Sequence, residues 1–321
     1  MKIVVLDGYT LNPGDISWEP FEKLGELVVY DYTAPSEIFD RLAGVSVCLT
    51  NKTCFPKEVL EKLPDLRYIG CLSTGFNVVD IAYAHAHGIT VTNIPEYATF
   101  ATAQMTIALL LEIASNVGHH SDLVHNGVWS KNRDFCFWDG TLTELWGKTL
   151  GLFGFGKIAS RVSRIASALG MRVLACRRSE VTDEMKKADP QVTFVDQDTL
   201  WAESDVISFH CPLTAETTGL CNQDVIAKMK DGVILLNTSR GPVLDELAVA
   251  DALRSGKIAA LGADVVSVEP IRENNPLLSA PNTYLTPHIA WAPKDTRIRL
   301  MDVASGNLAA YLSGAPENVV S

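Results

Sequence analysis

Short apolar runs alternate with helically spaced segments through almost the whole chain. "KIVVLD" (2–7), "LVVYD" (27–31), "SVCLT" (46–50), "RYIGCL" (67–72) and "ITVTN" (89–93) are rich in apolar and β-branched residues and too short for helices, so they predict five strands. "SWEPFEKLG" and "PKEVLEKLP" carry helical spacing between some of them. A second series follows: "TLGLFG" (149–154), "RVLAC" (172–176), "VTFV" (192–195), "DVISFH" (205–210), "VILLNT" (233–238), "ALGADV" (260–265) and "TYLT" (283–286). Near-continuous apolar strands with helices between them predict parallel sheets covered on both faces, an α/β architecture. A helix over roughly 101–118 separates the two series. After it, "HNGVWSKNRDFCFWDGTLTELWGK" reads as a long surface loop. Its aromatics Trp129, Phe135, Phe137 and Trp138 are too many for open solvent; they are expected to pack on another subunit or to fold back over the site. The amphipathic segment "DTRIRLMDVASGNLAAYLSG" is expected to return to the first series, which makes the second an insertion.

Composition narrows the function classes. The 321 residues suffice for about two domains, and 47% apolar with 20% charged residues is ordinary for a globular protein. A formal net charge of −11 argues against a nucleic-acid partner, because phosphate binding needs a basic face. "MKIVVLDGYT" has Asp7 and too short an apolar run for a signal peptide. "TIALLLEIASNVG" is interrupted by Glu112 and Ser115 and falls short of the roughly 20 apolar residues of a membrane span, so no membrane association is expected. The seven cysteines are odd in number, lack a C-x-x-C pair and mostly lie in apolar runs, which suits buried thiols in a reducing cytoplasm. His85 and His87, and the cluster His119, His120 and His125, lack an evident set of co-ligands, so no metal is expected.

Chemistry begins at residues 149–176, which read as strand, turn, helix, strand. Gly154-Phe155-Gly156-Lys157-Ile158-Ala159 fills G-x-G-x-x-G/A in the context that motif demands. Gly154 permits the tight turn. Gly156 lets backbone N–H groups approach a pyrophosphate at the helix N-terminus, and Ala159 allows close helix–strand packing. Three polar residues lie at or beyond later strand ends, where doubly wound sheets hold ligands: Arg240 before Gly241-Pro242, Glu269 before Pro270, and His288 after "TYLTP". Each alone has a bland explanation as a surface cation, a solvated loop charge or a core-edge imidazole. Together they suit reduction of a 2-keto acid. Arg240 can grip the carboxylate and the carbonyl oxygen. His288, as imidazolium, can protonate the developing alkoxide, and Glu269 beside it would stabilise that cation and fix the tautomer.

With "GLFGFGKIA", "HCPLTAETTGL", "LLNTSRGPVLDE", "GADVVSVEP" and "LTPHIAW" in this order, the chain resembles the D-isomer-specific 2-hydroxyacid dehydrogenase family over essentially its whole length. The resemblance implies two doubly wound parallel-sheet domains. One is a discontinuous, flavodoxin-like substrate domain (1–99 and 292–321); the other is a Rossmann NAD(P)-binding domain (100–291). It implies a cleft that closes on the substrate and a homodimer formed largely through the segment after residue 100. Arg240, Glu269 and His288 match the family's catalytic set. "CLSTGFN" (71–77) matches its substrate loop, with backbone N–H groups of Thr74 and Gly75 holding the substrate carboxylate and Asn51 facing the same cleft. Lys157 and Ile158 would contact the pyrophosphate, and Cys211, Pro212, Thr238 and Asp264 would line the cofactor. "PHIAW" and the opening "VVLDGYTLNPGD" are most similar to the glycerate dehydrogenases, or hydroxypyruvate reductases, of the family. Hydroxypyruvate and glyoxylate are therefore the favoured substrates and D-lactate an alternative. A second class stays open, a dinucleotide-sensing binding protein of corepressor type on the same fold.

The sequence departs from the family at the adenosine ribose. Arg177 lies twenty-one residues past Gly156, where an acidic residue ordinarily accepts the ribose hydroxyls of NAD. An arginine cannot accept there but can pair with the 2′-phosphate of NADP, and Arg178 and Ser179 could add a cation and a hydroxyl. NADPH is the expected cofactor. NADH, with a solvated arginine pair, is the alternative.

Overall fold

A computed structural model describes residues 1–321. The chain divides into two compact units, Met1–Ala98 with Trp291–Ser321, and Thr99–Ala290.

The first unit is built on a parallel sheet of β1 (Lys2–Val5), β2 (Glu26–Val29), β3 (Val47–Thr50), β4 (Tyr68–Cys71) and β5 (Thr90–Thr92), in the order β2-β1-β3-β4-β5. Both faces of the sheet are packed. One buries Val4, Cys48, Ile69 and Val91 among Ile38, Leu60 and Ala84. The other buries Ile3, Val5, Leu49 and Tyr68 against Leu300, Met301, Ala304 and Leu308 of the C-terminal helix Lys294–Leu312. That helix therefore rejoins the first sheet. Arg297 pins it by donating two hydrogen bonds to the Asp15 carboxylate, both 2.7 Å.

The second unit holds β6 (Thr149–Phe153), β7 (Arg172–Cys176), β8 (Val192–Phe194), β9 (Val206–Phe209), β10 (Val233–Asn237), β11 (Ile258–Ala263) and β12 (Thr283–Leu285). All are parallel, in the order β12-β11-β10-β9-β6-β7-β8. Its central strands are buried along their full length, as expected of a sheet covered by helices on both sides. The chain runs outward from β6 to β8, then returns to β9 on the other side of β6. Helices reverse side there, and the crevice at the carboxyl ends of β6 and β9 is the position at which such sheets take ligands.

All twelve expected strands form, most of them ending one or two residues before the apolar run does. The helix expected over 101–118 forms as Thr99–Ser115 and stops there. Asn116 takes a left-handed conformation (φ 51°), which asparagine tolerates better than most residues, and a second helix, Val117–His125, leaves at a bend of 57°. No single helix is long and apolar enough to cross a membrane. In the loop beyond, Phe135 (89% exposed) and Trp138 (68%) stand out into solvent, whereas Phe137 is half-buried against His120 and Trp129 donates through Nε1 to the Phe135 carbonyl. Five cysteines are buried, whereas Cys54 and Cys136 are exposed.

Candidate active site

The first group of functional residues surrounds the glycine turn after β6. Gly154 has φ 88°, and a Cβ there would lie 2.8 Å from the backbone of His210 and Cys211, so the turn from β6 packs directly on the segment after β9. Gly156 caps the helix Lys157–Ala168 with no side-chain partner, and a Cβ on it would meet nothing within 4 Å. Open space at an uncapped helix start, with its leading N–H groups and positive dipole end, fits a dinucleotide pyrophosphate. Ala159 is fully buried, as the close packing of that helix requires. Ile158 is half-buried and packs at the edge of the core beneath.

A cavity of about 350 Å³ continues from the turn, lined by Gly156, Lys157, Ser160, Arg177, Met185 and Asp189. The Arg177 guanidinium donates through Nε to Ser179 Oγ (2.9 Å), again to the same oxygen through Nη2, and reaches the Met185 thioether through Nη1. Arg178 is splayed into solvent, its nearest acidic partner Glu216 at 3.7 Å. Asp189 is the one buried acid of the cavity. Burial pushes its carboxyl up, but hydrogen bonds from Ser160, Arg164 and Gln191 outweigh this and hold it below the usual range.

The remaining expected residues distribute along the same sheet edge. Cys211 is buried, which pushes its thiol up and keeps it protonated. Pro212 is exposed, its carbonyl accepting from Thr217. Thr238 is buried and shares a 2.7 Å hydrogen bond with Thr106 of the helix Thr99–Ser115. His210 is half-buried beside Ser208 (2.9 Å), and desolvation lowers it to about 4, so this imidazole stays neutral and cannot supply an acid at neutral pH.

Arg240, Glu269 and His288 follow β10, β11 and β12, three neighbouring strands. His288 Nδ1 lies 2.6 Å from Glu269 Oε2, with both side chains one-third exposed. Glu269 Oε1 also accepts from Val266 N–H at 3.3 Å. This leaves Nε2 as the ring atom able to carry a proton to a ligand. Gly241, next to Arg240, sits so close to Val266 that a Cβ would lie 1.9 Å from its carbonyl, so the loops carrying Arg240 and Glu269 are in backbone contact.

Two buried groups that hold this edge were not evident from spacing. Asp264, expected to line the cofactor, gives its carboxylate to the histidine loop. It accepts from Thr286 Oγ1 (2.6 Å) and from the N–H groups of Ile289 (2.9 Å) and Ala290 (2.8 Å), while its carbonyl accepts from His288 N–H (2.8 Å). His288 itself has φ 54°, a conformation histidine rarely takes without such support. Asn237, fully buried at the end of β10, donates to the Arg240 carbonyl (2.9 Å) and accepts from Ser239. The only sequence signal for either is a polar residue closing an apolar run.

Residues 107–290 match the D-isomer specific 2-hydroxyacid dehydrogenase, NAD binding domain family. The chain belongs to this family. It is 52% identical over 324 residues, covering 100% of both chains, to a hydroxypyruvate reductase of Blautia hydrogenotrophica. It is 37% identical to a glycerate dehydrogenase of Methylorubrum extorquens, covering 99% of this chain and 98% of the relative. Among solved structures, an acyclic imino acid reductase in complex with NADPH and D-Arg superposes with a TM-score of 0.83 at 27% identity over 100% of both chains. Membership of the family makes the chain an oxidoreductase with a nicotinamide cofactor. In the first unit, the family's substrate-loop motif falls on the turn after β4. Thr74 Oγ1 there donates to the Ile94 carbonyl (2.7 Å), and the N–H groups of Thr74 and Gly75 make no hydrogen bond to the rest of the chain.

Proposed function

We propose that this protein is an NAD(P)-dependent reductase of a small 2-keto acid, with hydroxypyruvate or glyoxylate favoured, yielding the D-2-hydroxy acid. The observation that carries the reading is the 2.6 Å His288–Glu269 pair on a sheet edge that also carries the dinucleotide turn. Relatives named as a reductase and a dehydrogenase favour catalysis over a dinucleotide-sensing protein on the same fold. The names of the relatives at 52% and 37% identity supply the substrate class.

Each residue then has a task. Arg240 pairs with the substrate carboxylate and polarises the carbonyl. The N–H groups of Thr74 and Gly75 are open to a substrate carboxylate, and Asn51 follows the neighbouring strand β3 as a further substrate contact. The bound nicotinamide supplies the hydride. His288 donates a proton from Nε2 to the developing alkoxide, while Glu269 stabilises the imidazolium and keeps Nδ1 as a donor. Asp264 acts by fixing the backbone at His288. Lys157 and the first turn of its helix neutralise the pyrophosphate, with Ile158 beneath and Cys211, Pro212 and Thr238 along the cofactor's path.

We assign NADPH as the preferred cofactor, because Arg177 lines the cavity next to Gly156 with Ser179 bound to it. Arg178 adds long-range positive charge. NADH is the second reading: Asp189 lines the same cavity and Arg178 faces Glu216. The exposed aromatics Trp129, Phe135, Trp138 and Trp146 support a homodimer contacting through the segment after residue 100, and seven free thiols suit a reducing cytoplasm. The test is loss of nicotinamide absorbance with hydroxypyruvate, glyoxylate and pyruvate, each with NADPH and NADH. Turnover of hydroxypyruvate or glyoxylate, faster with NADPH, is expected. Turnover faster with NADH would remove the Arg177 assignment alone, and none with any pair would remove the reductase.

A further inference from the structure

The loop that carries Glu269 meets a second carboxylate, one with no role in the chemistry above. Glu246 is the first residue of the helix Glu246–Ser255, a short way past Arg240. A glutamate in a first helical turn is ordinarily accounted for by the helix dipole. This side chain does more, because it reaches partners 21 and 29 residues along the chain. Oε1 accepts from Ser267 N–H at 2.7 Å. Oε2 accepts from Ser267 Oγ at 2.6 Å and from Asn275 Nδ2 at 2.9 Å. Both carboxylate oxygens are thus committed to the loop 265–275, and Ser267 sits two residues before Glu269.

The two sides of this clamp differ in rigidity. Glu246 stands on a fixed base. Asp245 caps its helix by accepting from Ala248 N–H (3.1 Å), and Val249 and Ala250 are fully buried in one core with Leu277. The loop is the looser partner: Ser267, Val268 and Glu269 are exposed. The hydrogen bond from Val266 N–H to Glu269 Oε1 is long at 3.3 Å, so the aim of the Glu269 carboxylate follows the path of the backbone at 266–269. Gly241 packs on Val266, and Glu246 ties down the next residue, Ser267. One segment, 240–246, therefore sets both Arg240 and the loop of Glu269.

Building on the reductase reading, we infer that Glu246 is a positioning residue for proton delivery: by clamping Ser267 and Asn275 it holds the Glu269 carboxylate on His288 Nδ1. It acts through Glu269 alone. Such support matters because displacing a catalytic group by about 1 Å can cost about 100-fold in rate.

The experiment measures kcat and KM for the best of hydroxypyruvate, glyoxylate and pyruvate, with the preferred of NADPH and NADH at saturation. It compares the wild type, Glu246→Ala, Glu246→Gln, Glu269→Ala and the double variant Glu246→Ala/Glu269→Ala, with cofactor titrations and melting temperatures alongside. Glu246→Ala should lower kcat and kcat/KM together by about tenfold, leaving KM and cofactor affinity within about twofold. Glu246→Gln keeps an oxygen for Ser267 N–H and should lose only about threefold. In Glu269→Ala the group being positioned is gone, so adding Glu246→Ala should cost less than about twofold. A carboxylate that merely stabilised the fold would cost the same factor in both backgrounds. Ser267→Ala changes an exposed residue and removes the 2.6 Å hydrogen bond. It should cost about threefold, again only when Glu269 is present, even if the Glu246 variants fold poorly. Equal losses with and without Glu269, or wild-type rates in Glu246→Ala, would overturn the inference alone. Absence of wild-type turnover with every keto acid would instead overturn the reductase reading on which it rests.

Discussion

The edge that carries the His288–Glu269 pair and the corner that carries Arg177 and Arg178 lie on the same sheet but are built differently. After β10, β11 and β12, each functional residue is held by a group that is itself buried: Asn237 holds the Arg240 backbone, Asp264 holds the His288 loop, and Gly241 packs on Val266. After β7, Arg177 is held mainly by its neighbour Ser179 and by Met185, and Arg178 is 87% exposed. The geometry of the His288–Glu269 pair is thus fixed by the core, whereas Arg177 and Arg178 sit in a loop whose replacement leaves the core untouched. One edge should respond to substitution by losing the reaction, the other by changing its partner.

The largest effect should come from breaking the edge itself. His288→Ala is expected to lower kcat/KM by about 1,000-fold or more, measured in steady state, with cofactor affinity retained by tryptophan-emission titration. At the corner, Arg177→Asp should weaken NADPH by about 100-fold while changing NADH little, by the same titration; equal losses for both would show that the corner does not choose the cofactor. Glu269→Gln keeps the hydrogen bond but removes the charge. Keto-acid reduction should fall on the order of tenfold in kcat/KM, because the neutral amide orients the ring without the ion pair. The smallest effect concerns stability. Burial lowers His210 to about 4 from an ordinary 6.5, so the unfolded chain binds a proton between these values and the folded one does not. Stability from this group is complete above pH 6.5 and should fall by on the order of 1 kcal/mol as pH drops towards 4, solvent screening the half-buried ring. Melts across that range should show a drop that shrinks in His210→Gln.

Much of this was legible from the sequence, for a physical reason. Strands buried on both faces tolerate few polar residues, so the central ones stand out as apolar runs, and the glycine turn follows from the only residue type that fits against His210. Glu269 and His288 were legible because family motifs flank them. The supporting groups were not. The buried Asp7 carboxylate accepts from Thr50, Asn51, Lys52 and Thr53, 43 to 46 residues away, and Asp264 accepts from Ala290, 26 residues away, pairings that exist only once strands are stacked in order. The break at Asn116 escaped because apolar spacing continues across it, and a single left-handed residue leaves no periodic trace.

The central claim is that His288, held on Glu269, delivers the proton to a 2-keto acid. The most direct measurement is the steady-state rate of hydroxypyruvate reduction by the wild type and His288→Ala under saturating NADPH. The account predicts turnover by the wild type and a loss of about 1,000-fold or more in the variant with NADPH still bound. A variant that keeps most of its activity would contradict it, whatever the wild-type rate.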